Sequence, residues 1–84
     1  MIKVTLYTKE DCCLCLEAKN TLKSLQKRYQ FMLEEIDITS RSDLYENLRE
    51  EIPVIFINDR KSFKYRVDPQ QFVKKLKQAS LNAH

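Results

Sequence analysis

Leu6-Tyr7-Thr8-Lys9-Glu10-Asp11-Cys12-Cys13-Leu14-Cys15 is the stretch on which the reading of this chain turns. It begins at the end of an apolar segment in which Ile2, Val4 and Leu6 alternate with Lys3, Thr5 and Tyr7, the period-2 pattern of a strand. It ends inside a helical pattern. From Cys13 to about Tyr29 the apolar positions Leu14, Ala18, Leu22, Leu25 and Tyr29 recur at helical spacing, with Glu17, Lys19, Lys23 and Lys27 between them. Asp11 or Cys12 itself is expected to cap this amphipathic helix. The C-x-x-C of Cys12 and Cys15 therefore lies at the mouth of a helix that follows a strand.

That placement has chemical consequences. A helix N-terminus presents unpaired backbone N–H groups and roughly half a positive charge, and both favour thiolate over thiol at Cys12. Lys9 adds to this effect, while Glu10 and Asp11 oppose it. Cys15, almost one turn on, shares the face of Cys12 and is expected to be sheltered by the helix. A mixed disulfide at Cys12 is then open to attack by Cys15. Cys13 points elsewhere and reads as a small packing residue, a regulatory thiol or a crosslinking point. A closed tetrahedral metal site wants four ligands, and one chain offers three crowded thiols and the distant His84. Two chains sharing a metal or an iron–sulfur cluster form the alternative to thiol redox chemistry.

Further on, Phe31 to Ile38 reads as a second strand, and the apolar phase slips between Phe31/Leu33 and Ile36/Ile38, which predicts a bulge. Ser40 and Ser42 are N-cap candidates for a short helix through Leu44 and Leu48. Pro53 then opens the run Val54-Ile55-Phe56-Ile57, a strand buried on both faces. A proline there either stops the preceding helix as an ordinary trans residue or makes a cis turn that leaves the Ile52 backbone available to an extended substrate segment. Asn58 to Lys61 is a turn, and Ser62 to Val67 the returning strand. Asp68-Pro69-Gln70-Gln71 starts a last helix, with Asp68 as N-cap, Pro69 at the first helical position and Gln71 completing a capping box. This helix is expected to bury Phe72, Val73, Leu76 and Ala79, leaving a frayed tail at Leu81 to His84.

The order is β-α-β-α-β-β-α. The first two strands flank a crossover helix and should be parallel, while the final hairpin adds an antiparallel pair. An α/β fold with a four-stranded mixed sheet flanked by three helices is expected, in one domain spanning residues 1–84.

Composition narrows the function. With 84 residues the core is modest and a shallow site is expected. Zero glycines exclude a Gly-rich phosphate cradle. No apolar run reaches the length of a membrane span, and Lys3 interrupts the N-terminal segment, so a soluble, cytoplasmic protein is expected. Three cysteines within four positions cannot staple distant parts of a secreted fold. The net charge of +3 is uneven: residues 33–51 hold seven acids and two bases, residues 52–84 seven bases and two acids. Lys74, Lys75 and Lys77 read as a solvated helix face or as a surface for an acidic partner. Nucleic-acid binding is disfavoured, since no aromatics interleave with these bases.

The string Leu6 to Cys15 with Glu17-Ala18-Lys19, paired with Ile52-Pro53-Val54-Ile55-Phe56-Ile57, resembles the glutaredoxin family, and within it the small glutaredoxin-like proteins of the thioredoxin superfamily. The resemblance covers nearly the whole chain and implies a thioredoxin-like fold. It implies Cys12 as nucleophile, Cys15 as resolving thiol, Lys9 as the base near a glutathione carboxylate, Pro53 as a cis-proline facing the cysteines, and Ile52 as the main-chain contact to a bound thiol. Two positions depart from the family pattern. Tyr65-Arg66-Val67-Asp68-Pro69 stands where glutaredoxins carry a Gly-Gly pair and an acidic segment, so that Asp68 alone keeps the acidic character at glutathione's charged end. Cys13-Leu14 replaces the usual aromatic inside the C-x-x-C. The expectation is a monomeric thiol–disulfide oxidoreductase that binds no cofactor, acts on a disulfide-containing protein or small molecule, and takes glutathione or a thioredoxin-reductase-type system as reductant.

Overall fold

The computed structural model describes residues 2–82, with the side chain of Asn82 undescribed. The expected frayed tail falls partly beyond them: Leu81 is helical, while Ala83 and His84, with the metal-ligand question attached to His84, lie outside the described residues.

Eight short elements follow one another: β1 (Lys3–Thr8), α1 (Cys13–Gln26), β2 (Met32–Asp37), a 3-10 turn (Ile38–Ser40), α2 (Ser42–Leu48), β3 (Val54–Ile57), β4 (Arg60–Lys64) and α3 (Pro69–Asn82). The sheet order is β2-β1-β3-β4. β1 is the most apolar alternating segment and takes a central place, parallel to β2 and antiparallel to β3, while β3 and β4 form an antiparallel hairpin. The mixed four-stranded sheet with three helices is the fold expected from the element order.

Strand alternation divides the sheet into two faces. On one, Val4, Leu6, Ile55 and Ile57 are buried together with Ala18 and Leu22 of α1 and Phe72 and Leu76 of α3. Phe72 is the keystone of this layer: it is completely buried and its ring meets Phe31 at 5.4 Å and Phe63 at 6.2 Å. Burying each such side chain contributes about 1.5–3 kcal/mol. The other face carries Thr5, Val54 and a T-shaped Tyr7–Phe56 pair at 5.3 Å.

Several local expectations are corrected. The β1–β2 register runs unbroken from Lys3↔Met32 to Thr8↔Asp37, so β2 has no bulge. The phase slip arises because Phe31 and Ile38 are buried from positions flanking the strand, Ile38 within the 3-10 turn. The register shift lies instead between Ile55 and Phe56, where β3 meets β4. Neither serine caps α2: Arg41 occupies the N-cap without a side-chain bond, and Ser40 Oγ donates to the Asp37 carbonyl. The hairpin loop is shorter than expected, with Ile57 paired to Arg60 around Asn58 and Asp59. β4 stops at Lys64 because Tyr65 adopts a left-handed backbone, φ 69°. At α3 the Asp68 carboxylate accepts from the Gln70 and Gln71 N–H groups at 2.9 and 3.4 Å, which makes it the expected cap. A reciprocal Gln71 side-chain bond is not formed among the described residues.

Candidate functional site

The site is built where β1 ends. After Thr8 the chain turns through Glu10 and Asp11, the latter in a left-handed conformation, φ 59°, which aspartate tolerates better than most residues. Cys12 follows with extended backbone, φ −110° and ψ 108°, as the N-cap of α1. Its carbonyl accepts the first helical bond from Leu16 at 3.1 Å, and its Sγ accepts from the Cys15 backbone N–H at 3.3 Å. One of the orphan donors of the helix is thus directed at the sulfur of Cys12. The sequence had left Asp11 and Cys12 as alternative caps; the left-handed turn at Asp11 makes Cys12 the residue that enters the helix.

The three thiols are free and unequal in exposure: Cys13 is exposed, Cys12 half-buried and Cys15 buried, with 2% of its surface accessible. Burial holds the Cys15 thiol above its ordinary range, and the adjoining Cys12 sulfur raises it further. The Thr8 hydroxyl and the Lys9 backbone act the other way, stabilising the ionised form. Cys15 is therefore a reserve thiol, screened from solvent and in contact with its neighbour. Among the described residues no three His, Cys, Asp or Glu side chains gather in a metal-holding group.

An open cleft of about 660 Å³ borders the cysteines, lined on one side by Thr8, Lys9, Glu10 and Asp11 and on the other by Glu35 and Asp37. Lys9, Cys12 and Cys15 come together here, as does Cys13. Ile52, Pro53 and Asp68 do not line this cleft. The Ile52–Pro53 peptide is cis. Because Tyr7 pairs with Val54, Pro53 stands at the same end of the sheet as Thr8 and the cysteine turn. Its carbonyl accepts from Tyr65 N–H at 2.8 Å, which ties the β4 exit to the start of β3. Asp68 serves α3 as its cap.

Glu35, Asp37, Thr8, Leu16 and Lys19 also line the cleft and were not singled out from the sequence. The signal was available in the topology. Two parallel strands deliver their C-terminal ends to the same edge, so the residues closing the second strand must stand beside the loop that follows the first. The register Thr8↔Asp37 does this. Asp37 is held below the usual carboxylate range by hydrogen bonds from the Thr39 hydroxyl and backbone, at 2.6 and 2.8 Å. Lys19 pairs with Glu35 at 3.4 Å.

A parallel β-α-β unit extended by an antiparallel hairpin and a last helix, with a C-x-x-C at the first helix, defines a thioredoxin-like fold of glutaredoxin type. The chain belongs to the glutaredoxin-like domain family, whose model matches residues 3–77. Its structure is similar to the solution structure of protein Ne2328 from Nitrosomonas europaea, with 31% identity, a TM-score of 0.78, and coverage of 89% of this chain and 91% of that one. Two more distant likenesses concern the fold alone. One is chloroplastic thioredoxin z, with 16% identity, TM-score 0.76, and 96% and 80% of the two chains covered. The other is NrdH-redoxin from Escherichia coli, a glutaredoxin-like protein, with 24% identity, TM-score 0.59, and 86% and 92% covered. The fold and its cysteine pair together suggest a redox function. Among the described residues no helix is long and apolar enough to cross a membrane.

Proposed function

We propose that the protein is a thiol–disulfide oxidoreductase that reduces disulfides through Cys12 and Cys15. The observation that carries this reading is the Cys15 N–H donated to Cys12 Sγ at the helix N-cap, with the Cys15 thiol buried behind it. The half-buried Cys12 thiolate attacks one sulfur of a substrate disulfide, forming a Cys12–substrate mixed disulfide and expelling the other sulfur as a thiolate. Cys15 then loses its proton and attacks Cys12 Sγ. The second substrate thiolate leaves, and a Cys12–Cys15 disulfide remains, its two electrons having passed to the substrate.

The causes of the Cys15 shift give this sequence an order. Burial comes first among the influences that disfavour its ionisation; the other two are the hydrogen bond to Cys12 and the charge of Cys12. These two disappear when Cys12 is capped as a mixed disulfide, while the help from Thr8 and Lys9 persists. Capping Cys12 thus eases the ionisation of Cys15, while its burial remains.

In this reading the two thiols hold the electrons and no resident cofactor is required. Two molecules of glutathione, leaving as glutathione disulfide, or a thioredoxin-reductase-type system recharge the pair, the protein works as a monomer, and its setting is a reducing compartment such as the cytoplasm. Lys9, at the cleft, is the candidate for holding a substrate carboxylate, and Ile52 and Pro53 for main-chain contacts at the same sheet end.

Alkylation of the reduced protein with iodoacetamide as a function of pH, with the modified cysteine identified by mass spectrometry, tests the assignment. Cys12 should react first, and Cys15→Ser should accumulate a stable mixed disulfide on Cys12 while Cys12→Ser abolishes turnover. Equal reactivity of all three thiols would refute it.

A further inference from the structure

The charges around the nucleophile specify more than a thiol. The cleft beside Cys12 is lined by four carboxylates, Glu10, Asp11, Glu35 and Asp37, against two ammonium groups, Lys9 and Lys19. Lys19 is engaged by Glu35. Glu10, Asp11 and the ionised Asp37 then face Lys9 and the N-terminus of α1, whose partial positive charge is already directed at Cys12 Sγ. The cleft is therefore negative, although the chain as a whole carries +3. One apolar side chain stands among these charges: Leu16, 59% exposed, on the same wall as Cys12 and Cys13. A concave surface with a nucleophilic sulfur, a surplus of carboxylates and an exposed leucine suits a segment of polypeptide better than a small anionic disulfide.

Building on the oxidoreductase reading, we propose that the substrate is a disulfide in a basic polypeptide segment, with lysine or arginine beside the cystine, and that Glu10, Asp11 and Asp37 select it. Anionic disulfides, such as glutathione mixed disulfides with their two carboxylates per glutathione, are disfavoured by the same groups, since Lys9 can hold a single carboxylate and is outnumbered by Glu10, Asp11 and Asp37. The basic segment reaches Cys12 by electrostatic steering, so the preference lies mainly in the rate of encounter.

The probes are methanethiosulfonates carrying a trimethylammonium group, a sulfonate group or a plain methyl group. Each accepts a thiolate at its sulfenyl sulfur, forms a mixed disulfide and releases methanesulfinate, the same displacement as the first step of the proposed reaction. They are applied to Cys13→Ser/Cys15→Ser, in which Cys12 is the only thiol, and rates are normalised to those with a free small thiol. At low ionic strength the cationic reagent should react about tenfold faster than the anionic one, at the lower end of steering effects. The ratio should fall toward one in roughly 1 M salt, where the screening length is about 3 Å. Glu10→Gln/Asp11→Asn should lower it several-fold, and asparagine suits the left-handed backbone at position 11.

A ratio of one or less at low salt overturns the proposal, as does a ratio unchanged in Glu10→Gln/Asp11→Asn. The uncharged reagent separates this failure from that of the underlying reading. If it reacts quickly while the charged pair show no preference, the oxidoreductase stands and the substrate class falls. If it reacts no faster than with the free thiol, the oxidoreductase reading falls and takes the substrate class with it, even where the ratio stays near ten.

Discussion

Residues Ile2 to Ile38 and residues Pro53 to Asn82 each contribute two strands and one long helix, yet their backbones differ in kind. The first half keeps a single parallel register along the whole of β1 and β2 and enters the left-handed region at one residue, Asp11, in the turn before Cys12. The second half contains the register shift between Ile55 and Phe56 and two left-handed residues, Asn58 and Tyr65. Without a glycine in the chain, these positions have to be held by side chains and tertiary bonds. Asn58 bridges to the start of β1, its N–H donating to the Lys3 carbonyl at 2.7 Å and its Oδ1 accepting from Lys3 N–H at 3.2 Å. Tyr65 carries a left-handed cost of about 1–2 kcal/mol. It is held by its N–H to the Pro53 carbonyl and by Lys64, 5.5 Å above its ring. The contrast teaches that the thiols ride on locally encoded structure, whereas the β3 start at the same end of the sheet is shaped by contacts between distant segments.

Phe72 is where the two halves meet, so removing it is the strongest way to break the comparison. It is fully buried between Phe31 of the first half and Phe63 of the second. Phe72→Ala should cost about 3–5 kcal/mol, the range for truncating a core aromatic. Urea unfolding followed by circular dichroism would register this as a large fall in midpoint. A loss below about 1 kcal/mol would mean that the halves are held together elsewhere.

A smaller effect is expected at Asp68, and it sharpens what the second half does. Asp68→Ala removes the cap on α3 and should cost about 1 kcal/mol, whereas Asp68→Asn keeps an acceptor and should cost much less. The pair of variants separates structure from substrate contact. Turnover that falls only in proportion to stability assigns Asp68 to the helix. Turnover that falls in the well-folded Asp68→Asn assigns its charge to the substrate as well.

The same division explains what was legible in the sequence. β1, α1, the Asp68 cap and the buried Phe72 and Leu76 follow from rules that operate within a few residues: alternation, helical spacing and the chemistry of caps, which at α1 narrowed the cap to Asp11 or Cys12. The Ile55/Phe56 register shift and the end of β4 at Tyr65 depend on partners remote in sequence, and local pattern misplaced them; the α2 cap was misplaced for a local reason, Ser40 Oγ being bonded to the Asp37 carbonyl. The missing bulge in β2 is instructive, because burial of Phe31 and Ile38 outside the strand imitated a change of phase within it. At the site, Cys12, Cys15 and Lys9 were legible by spacing. Thr8, Glu35 and Asp37 required the step from strand order to shared sheet edge.

The subtlest expected effect concerns the pH dependence of stability, and it isolates one buried thiol of the regular half. Burial raises Cys15 above its ordinary value of 9.0, so the folded state holds this proton more tightly than the unfolded chain does. The stabilisation is fully present below the unfolded-state value, and it is lost as pH rises from about that value through the higher folded-state one. Denaturation midpoints of the reduced protein should therefore drop between neutral and alkaline pH by more than those of Cys15→Ser, which lacks the titrating group. Oxidation to the Cys12–Cys15 disulfide should remove the same component, because neither sulfur then carries a proton. If reduced wild type and Cys15→Ser lose stability in parallel, the thiol is solvated in the native state, and the reserve role argued for it fails with that result.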